Sequence, residues 1–298
     1  MLRLDEKKIR KGKPIGLPYI GSKKKVAKKI VEIIKQNFGC DKPVYDIFGG
    51  GGAVTAELLL NGFEVHYNDL DSDITDMFVR VISQDREWIK TLIVSRDEFF
   101  GILSKSQKTV DDKLKLLINS FANNQKNYLY GRKWSDIKYN FAVKIINKHG
   151  VFGGYRQTET YKNAQQEQLE RLQQLQRLQQ LERLNQLQYL EQLQKLQQLE
   201  VTNRDYTAFS NVENAILYLD PPYENTKNPY KFKFDHQLFY DWCVKMARKN
   251  VVIISSYDIS DPRFEVSFEF KNAHGTFSGG QNIKKHERLF TVKKTEHL

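Results

Sequence analysis

A chain of 298 residues with two cysteines and no apolar run of membrane-spanning length is long enough to bury a full core, and it reads neither as a disulfide scaffold nor as a transmembrane protein. Its net charge of +11 favours a polyanionic partner, although basic charge also serves solubility or a membrane surface. With no signal-peptide core at the N-terminus, the expectation is a cytoplasmic protein in a reducing compartment.

The first dense basic cluster, Lys23-Lys24-Lys25 with Lys28-Lys29, lies on or just before a helix. Val44 to Phe48 then reads as a short strand running straight into Gly49-Gly50-Gly51-Gly52, followed by a helix over 53–60. Four glycines permit a tight strand-to-helix turn and let a ligand approach bare backbone at a helix N-terminus. Asn61-Gly62 stops the helix, Phe63 to Tyr67 forms a second strand, and Asn68-Asp69 closes it. An acid about 20 positions after a glycine-rich turn is placed to hold a ribose hydroxyl, and the absence of Gly-Lys-Ser/Thr argues against a phosphate-binding P-loop. The plain alternative is a glycine-rich connection in any α/β domain.

From Asp73 to about Lys148 the pattern is mainly helical, with Trp88, Ile89, Leu92 and Ile93, then Leu114, Leu117 and Ile118, at helical spacing as core stripes. Asn123 to Trp134 differs, mixing amides, bases and aromatics in a loop-like composition suited either to DNA contacts or to a plain surface loop. Leu169 to Leu199 is a low-complexity block with leucine at every third position and a deeper period of six, free of glycine and proline. Its residues favour a long helix, but a three-residue period walks the leucine stripe around an α-helix, so a heptad coiled coil is not expected. A solenoid-like turn, a tolerant insertion, a dimer contact or a DNA-facing arm all remain open.

Ala215 to Leu219 reads as a buried strand that ends in Asp220-Pro221-Pro222-Tyr223, the position where open α/β sheets place their chemistry. The prolines stiffen the turn and remove its N–H donors, so the Asp220 carboxylate and the Pro221 carbonyl are presented together as acceptors suited to an amino group. A ring such as that of Tyr223 can stack on a flat heterocycle; the plain alternative is a strand and a proline turn. A further strand, Val251 to Ile254, leads into Ser255-Ser256-Tyr257. The six histidines lack any short ligand spacing, so no metal site is expected. Neither Cys40 nor Cys243 sits beside a proline, as the thiol nucleophile of cytosine-C5 methylation usually does.

Taken together, these pieces resemble the D12 class of DNA N6-adenine methyltransferases, the Dam-like family. Pro18-Tyr19-Ile20-Gly21-Ser22-Lys23 is similar to the N-terminal motif, with tyrosine where tryptophan is common and serine where a second glycine is common. Phe48 to Gly52 resembles the Phe-x-Gly-x-Gly turn, Asn68-Asp69 the ribose-binding acid, and Asp220 to Tyr223 motif IV. Val201 to Tyr206 is similar to the stretch before the catalytic strand. Ser255 to Tyr257, Phe277 to Gly280 and Lys284 to Leu289 resemble the later strand end and the C-terminal hairpin. The chain lacks the Arg-Tyr-Asn and Asn-Val-Pro pieces of GATC-specific relatives, so a GATC target is not expected.

The resemblance implies a doubly wound α/β, Rossmann-like methyltransferase core from 1–78 and 200–298, a mainly helical recognition region at 79–163, and the Leu/Gln-rich repeat as an insertion at 164–199. It implies S-adenosyl-methionine as cofactor, held by Tyr19, Lys23, Asp46, Phe48, Gly50, Gly52, Asp69, Asp205 and Asp220, with Lys23 on the cofactor carboxylate and Asp205 near its adenine. Asp220, Pro221, Pro222 and Tyr223 would be catalytic, drawing the weakly nucleophilic amine of a flipped-out adenine toward the methyl carbon. Double-stranded DNA is then the partner, a restriction endonuclease a companion, and a monomer or weak dimer the working form. Cytosine-N4 transfer, an RNA substrate, and a catalytically silent DNA-binding protein on the same fold are the alternatives.

Overall fold

The structure is a computed structural model that describes residues 1–19, 21–167, 177–190, 193, 199–224, 234–274 and 286–293. Phe277 to Gly280, Lys284-Lys285 and residues 168–176, 191–192 and 194–198 of the Leu/Gln repeat lie outside the described residues. The chain forms two compact units, one of residues 1–14, 23–75 and 196–298, the other of 15–22 and 76–195.

The first unit is built on a seven-stranded sheet. Its strands are β1 (Val44–Asp46), β2 (Val65–Asn68), β3 (Glu200–Thr202), β4 (Ile216–Leu219), β5 (Val251–Ser256), β6 (Phe264–His274) and β7 (His286–Val292), in the spatial order β3-β2-β1-β4-β5-β7-β6. The first five pair in parallel, whereas β7 runs antiparallel to both β5 and β6. All four residues of β4 are buried, as a central strand covered on both faces requires. Its alternating side chains divide the core: Ile216 and Tyr218 join Ile30, Ile34 and Leu58, while Leu217 and Leu219 join Phe239, Trp242 and Met246. Helices α1 (Ala27–Phe38) and α2 (Ala53–Leu60) therefore cover one face, and a helix at His236–Met246 covers the other. This is a doubly wound, Rossmann-like α/β fold. The strand order reverses between β1 and β4, and that crevice is where such sheets bind ligands.

In the second unit α3 (Ser72–Ile82), which begins in the first unit, leads into α4 (Arg86–Lys90), α5 (Arg96–Leu103), α6 (Val110–Asn119), α7 (Arg132–His149), α8 (Glu159–Glu167) and α9 (Gln179–Gln188). Side-chain caps start three of them: Asp85 accepts from Trp88 N, Ser95 from Glu98 N, and Thr109 with Asp112 forms a capping box. The stripes are buried at Ile89, Leu92, Ile93, Leu114, Leu117 and Ile118, whereas Trp88 is half-buried under Arg80.

The mixed stretch after α6 is not one loop. Ser120 pairs with Tyr128 in a miniature hairpin whose tip spans 121–127, and Arg132 to Trp134 already belong to α7. Phe121 N donates to Asn127 O at 2.7 Å and Leu129 N to Asn119 O at 2.8 Å. Tyr128 and Tyr130 are core residues, so their rings are not offered to a base; the exposed aromatic is Phe121, at 62 %. Ala122, Asn123 and Gln125 all adopt positive φ, between 49° and 58°, a conformation that costs a non-glycine residue free energy.

Candidate active site

The glycine turn leaves β1 beside the end of β4, where Ile47 N donates to Tyr218 O at 3.2 Å. Gly52 has φ 68° and opens α2 in the left-handed region. At Gly49 a Cβ would lie 2.3 Å from the Tyr67 ring, whose hydroxyl is itself fixed on Gly50 O at 2.6 Å, so only a bare backbone fits.

Two acids flank this turn. Asp69 accepts from Gly50 N through Oδ2 and from Asp71 N through Oδ1, at 2.8 and 2.9 Å, so it braces the turn itself; burial raises its pKa above the ordinary carboxylate value. Asp46 accepts from Thr55 N and Thr55 Oγ1 through Oδ2, at 3.1 and 2.7 Å. Its Oδ1 is buried without a hydrogen-bond partner, and burial pushes the carboxyl up to about 7. Asn68 ties the three strand ends together, donating to Ile47 O and Arg204 O and accepting from Thr202 Oγ1 and Arg204 N, all within 2.8–2.9 Å. Asn203 Nδ2 donates to Asp69 O at 2.9 Å.

Beyond β4, Asp220 and Tyr223 enter a charged cluster. Lys23 Nζ lies 2.9 Å from Asp220 Oδ1 and 3.5 Å from Glu287 Oε2, and it also donates to the Tyr223 hydroxyl. That hydroxyl faces both acids, Glu287 Oε1 at 2.7 Å and Asp220 Oδ1 at 3.1 Å, and Ser255 Oγ donates to the same Glu287 oxygen at 2.7 Å. The Tyr223 ring takes the Tyr257 ring edge-on at 4.6 Å. Burial raises Asp220, the Lys23 charge draws it back and Glu287 adds to the rise, leaving it at about 6. Burial opposes the Lys23 charge, but the two carboxylates outweigh it and hold its pKa above the ordinary value. His236 Nε2 meets Pro222 O at 2.8 Å and anchors the proline turn on the helix that follows.

One contiguous edge of the sheet thus gathers Lys23, Asp46, Phe48, Gly50, Gly52, Asp69 and Asp220 to Tyr223 within the first unit, Phe48 packing edge-on to Phe239. Tyr19 falls in the second unit. Asp205 is exposed and caps its own short helix, accepting from Thr207 N and Oγ1. Glu287 escaped sequence reasoning: among Lys284, Lys285, His286 and Arg288 it reads as one charge of a solvated strand, and only its pairing with β5 turns it inward. Among the described residues there is no cluster of His, Cys, Asp or Glu able to hold a metal ion, and no helix is long and apolar enough to cross a membrane. Cys40 and Cys243 are both free thiols, the latter buried.

Among curated proteins none matches the chain. A family sequence model does, across residues 19–242, a span that runs from the N-terminal motif through the glycine turn, the second unit and the Asp-Pro-Pro-Tyr turn to the helix behind it. The chain belongs to the D12 class of N6 adenine-specific DNA methyltransferases, enzymes that methylate the N6 amine of adenine in DNA.

Proposed function

We propose that the first unit binds S-adenosyl-methionine over the glycine turn and presents Asp220 to the N6 amine of an adenine turned out of duplex DNA. The observation that carries this reading is the meeting of two motifs at the switch point: the turn after β1 and Asp220 after β4 leave adjacent strands at the same sheet edge. The residues fit the cofactor. A buried, unpartnered Asp46 Oδ1 suits an ammonium group, the crowding at Gly49 leaves bare backbone for close approach, and Asp69 stands at the following strand end for a ribose hydroxyl. When bound, the cofactor supplies an electrophilic methyl group on a sulfonium centre.

The chain's own residues do the rest. Asp220 and the Pro221 carbonyl accept hydrogen bonds from the amine, which favours a pyramidal nitrogen with its lone pair free for in-line attack. The amine becomes acidic as it is alkylated, and Asp220 takes its proton. The Tyr223 ring replaces the stacking lost when the base leaves the duplex.

In the second unit we assign DNA reading to the hairpin tip at 121–127, on the strength of its exposed Phe121, its amides and Lys126. The net charge of +11 supports duplex DNA as the substrate, and a cytoplasmic monomer or weak dimer with a companion restriction endonuclease accords with this reading.

The test uses methyl-tritiated S-adenosyl-methionine and mixed-sequence duplex DNA, with the labelled nucleoside identified after digestion. N6-methyladenine is expected, and label on cytosine or none at all would overturn the reading. Once the site is mapped, 2-aminopurine in place of the target adenine should brighten on binding; unchanged fluorescence would remove base flipping.

A further inference from the structure

The Leu/Gln repeat is the one motif that methyl transfer leaves unused, and its described helix is not a surface appendage. Leu178, Leu181, Leu184, Leu187 and Leu190 are all fully buried. The leucine stripe that winds around this helix is therefore buried along its whole described length, while Gln179, Glu182 and Gln186 stay half-buried. Two polar residues go inside as well: Gln180 is fully buried and Arg183 is 8 % exposed.

Both reach the root of the hairpin. Gln180 Nε2 donates to Asn119 Oδ1 at 2.5 Å, with Val94 O at 3.1 Å and the Tyr128 hydroxyl at 3.3 Å, and Gln180 N donates to the Tyr130 hydroxyl at 3.3 Å. Arg183 Nη1 donates to Ile118 O at 2.5 Å and Ser120 O at 2.7 Å, taking up carbonyls where α6 ends and the hairpin begins. Arg183 thus grips the outgoing strand of the hairpin, and Gln180 spans the root, from Asn119 on the outgoing side to the Tyr128 and Tyr130 hydroxyls on the returning one.

The tip above this clamp is short and strained. Its internal bonds are local: Ser120 Oγ accepts from Gln125 N at 2.9 Å, and Asn124 Oδ1 accepts from Lys126 N and Asn127 N at 2.9 and 3.0 Å. Three non-glycine residues at positive φ persist only where their surroundings over-determine them. Base readout needs side chains held close to one geometry, so whatever fixes the root also fixes the reading.

We propose that Gln180 and Arg183 of the repeat are positioning residues for target discrimination, clamping the 121–127 tip in the geometry that reads DNA. This rests on the tip being the DNA-reading element.

The experiment uses the full-length chain with Gln180→Leu and Arg183→Met, a duplex carrying the mapped site, and duplexes with single base-pair changes in it. The ratio of kcat/KM for the site over its variants should fall about ten-fold or more, the scale of one lost base contact. KM for DNA should rise while kcat at saturating DNA and S-adenosyl-methionine affinity hold, and Arg183→Lys, which keeps a cationic donor, should recover part of the ratio. An unchanged ratio overturns the proposal, and so does a parallel fall in kcat, cofactor affinity and folded fraction. Gln180→Leu is the guard against misfolding: its tip amides at 121–127 should exchange hydrogen faster while those of α6 do not, and failure of all three variants to fold would make the pair general core supports and overturn it. Phe121→Ala and Asn123→Ala separate the two readings. If they leave DNA kinetics untouched the tip is not the reader, whereas if they act and the clamp variants do not, the clamp alone fails.

Discussion

Lys23 Nζ and Asp220 Oδ1 stand 2.9 Å apart, with the Glu287 carboxylate beside them and the Tyr223 hydroxyl between the two acids. One ammonium against two carboxylates leaves the cluster one negative charge in excess, which is room for the single proton each methyl transfer releases. Replacing Lys23 with Met strands both acids in a buried site, and breaking a buried ion pair in this way costs about 3–5 kcal/mol. Urea unfolding of Lys23→Met should show a loss of that order, and a loss below about 1 kcal/mol would mean the pair is solvated.

Asp220 takes the proton of the amine only when ionised, and its pKa stands at about 6, above the ordinary carboxylate value. The rate should therefore fall as pH drops through about 6, earlier than for an ordinary aspartate, and level off above it. Glu287 is one of the groups that raise Asp220, so Glu287→Gln should move this acid limb to lower pH. A kcat profile with the limb in the same place in both proteins would remove Glu287 from the site's electrostatics.

Asp46 gives a pH dependence of stability. Its folded value of about 7 lies above the ordinary one, so the folded state binds the proton more tightly than the unfolded chain. The resulting stabilisation is complete below the ordinary carboxylate value and is lost as pH rises through about 7. Relative to Asp46→Asn, the wild type should lose up to about 4 kcal/mol between pH 4 and 8, read from urea unfolding at both ends. The variant should also bind S-adenosyl-methionine more weakly, and full retention of affinity would exclude Asp46 as the ammonium partner.

Gly49→Ala drives a methyl group into the Tyr67 ring, which its hydroxyl bond to Gly50 O keeps from swinging aside. Overpacking of this kind costs about 1–3 kcal/mol. Cofactor titration should show weaker binding as the turn shifts, and a variant equal to wild type in both respects would show that the turn yields.

At the hairpin tip, Lys126→Ala should reduce the slope of log K against log salt for DNA binding by about one while leaving sequence preference alone. Phe121→Ala should raise KM for DNA with little change in the salt slope. Filter binding over a salt series distinguishes the two, and a Lys126 variant with an unaltered slope would place that lysine off the phosphates.

Much of the sheet edge was legible because its chemistry is local in sequence. The apolar run into Asp220 marks a strand buried on both faces, and Gly49 to Gly52 mark a turn no other residue could make at Gly49. The partners of these motifs were hidden for a physical reason. Glu287 sits in a run of cations and is turned inward only by antiparallel pairing of β7 with β5, and Lys23 finds Asp220 only once the ends of the chain are folded together. Phe121 is one phenylalanine beside two tyrosines, and nothing in its spacing distinguishes the exposed ring from the two buried ones. Gln180 and Arg183 share their residue types with other positions of the repeat and differ only in what they touch.

A ladder of near-identical rungs can seat on its neighbours in more than one way. Sliding the repeat by six residues would put Gln174 and Arg177 where Gln180 and Arg183 now stand, with leucines again meeting leucine sites, so the clamp alone does not choose the alignment. Asn185 breaks the sameness of the rungs: it is the only asparagine between Leu169 and Leu199, and it lies so close to Gly153 that a Cβ there would come within 2.6 Å of its Oδ1. The same slide would bring Gln179, a methylene longer, to that position, so the contact with Gly153 is one that the six-residue period does not repeat.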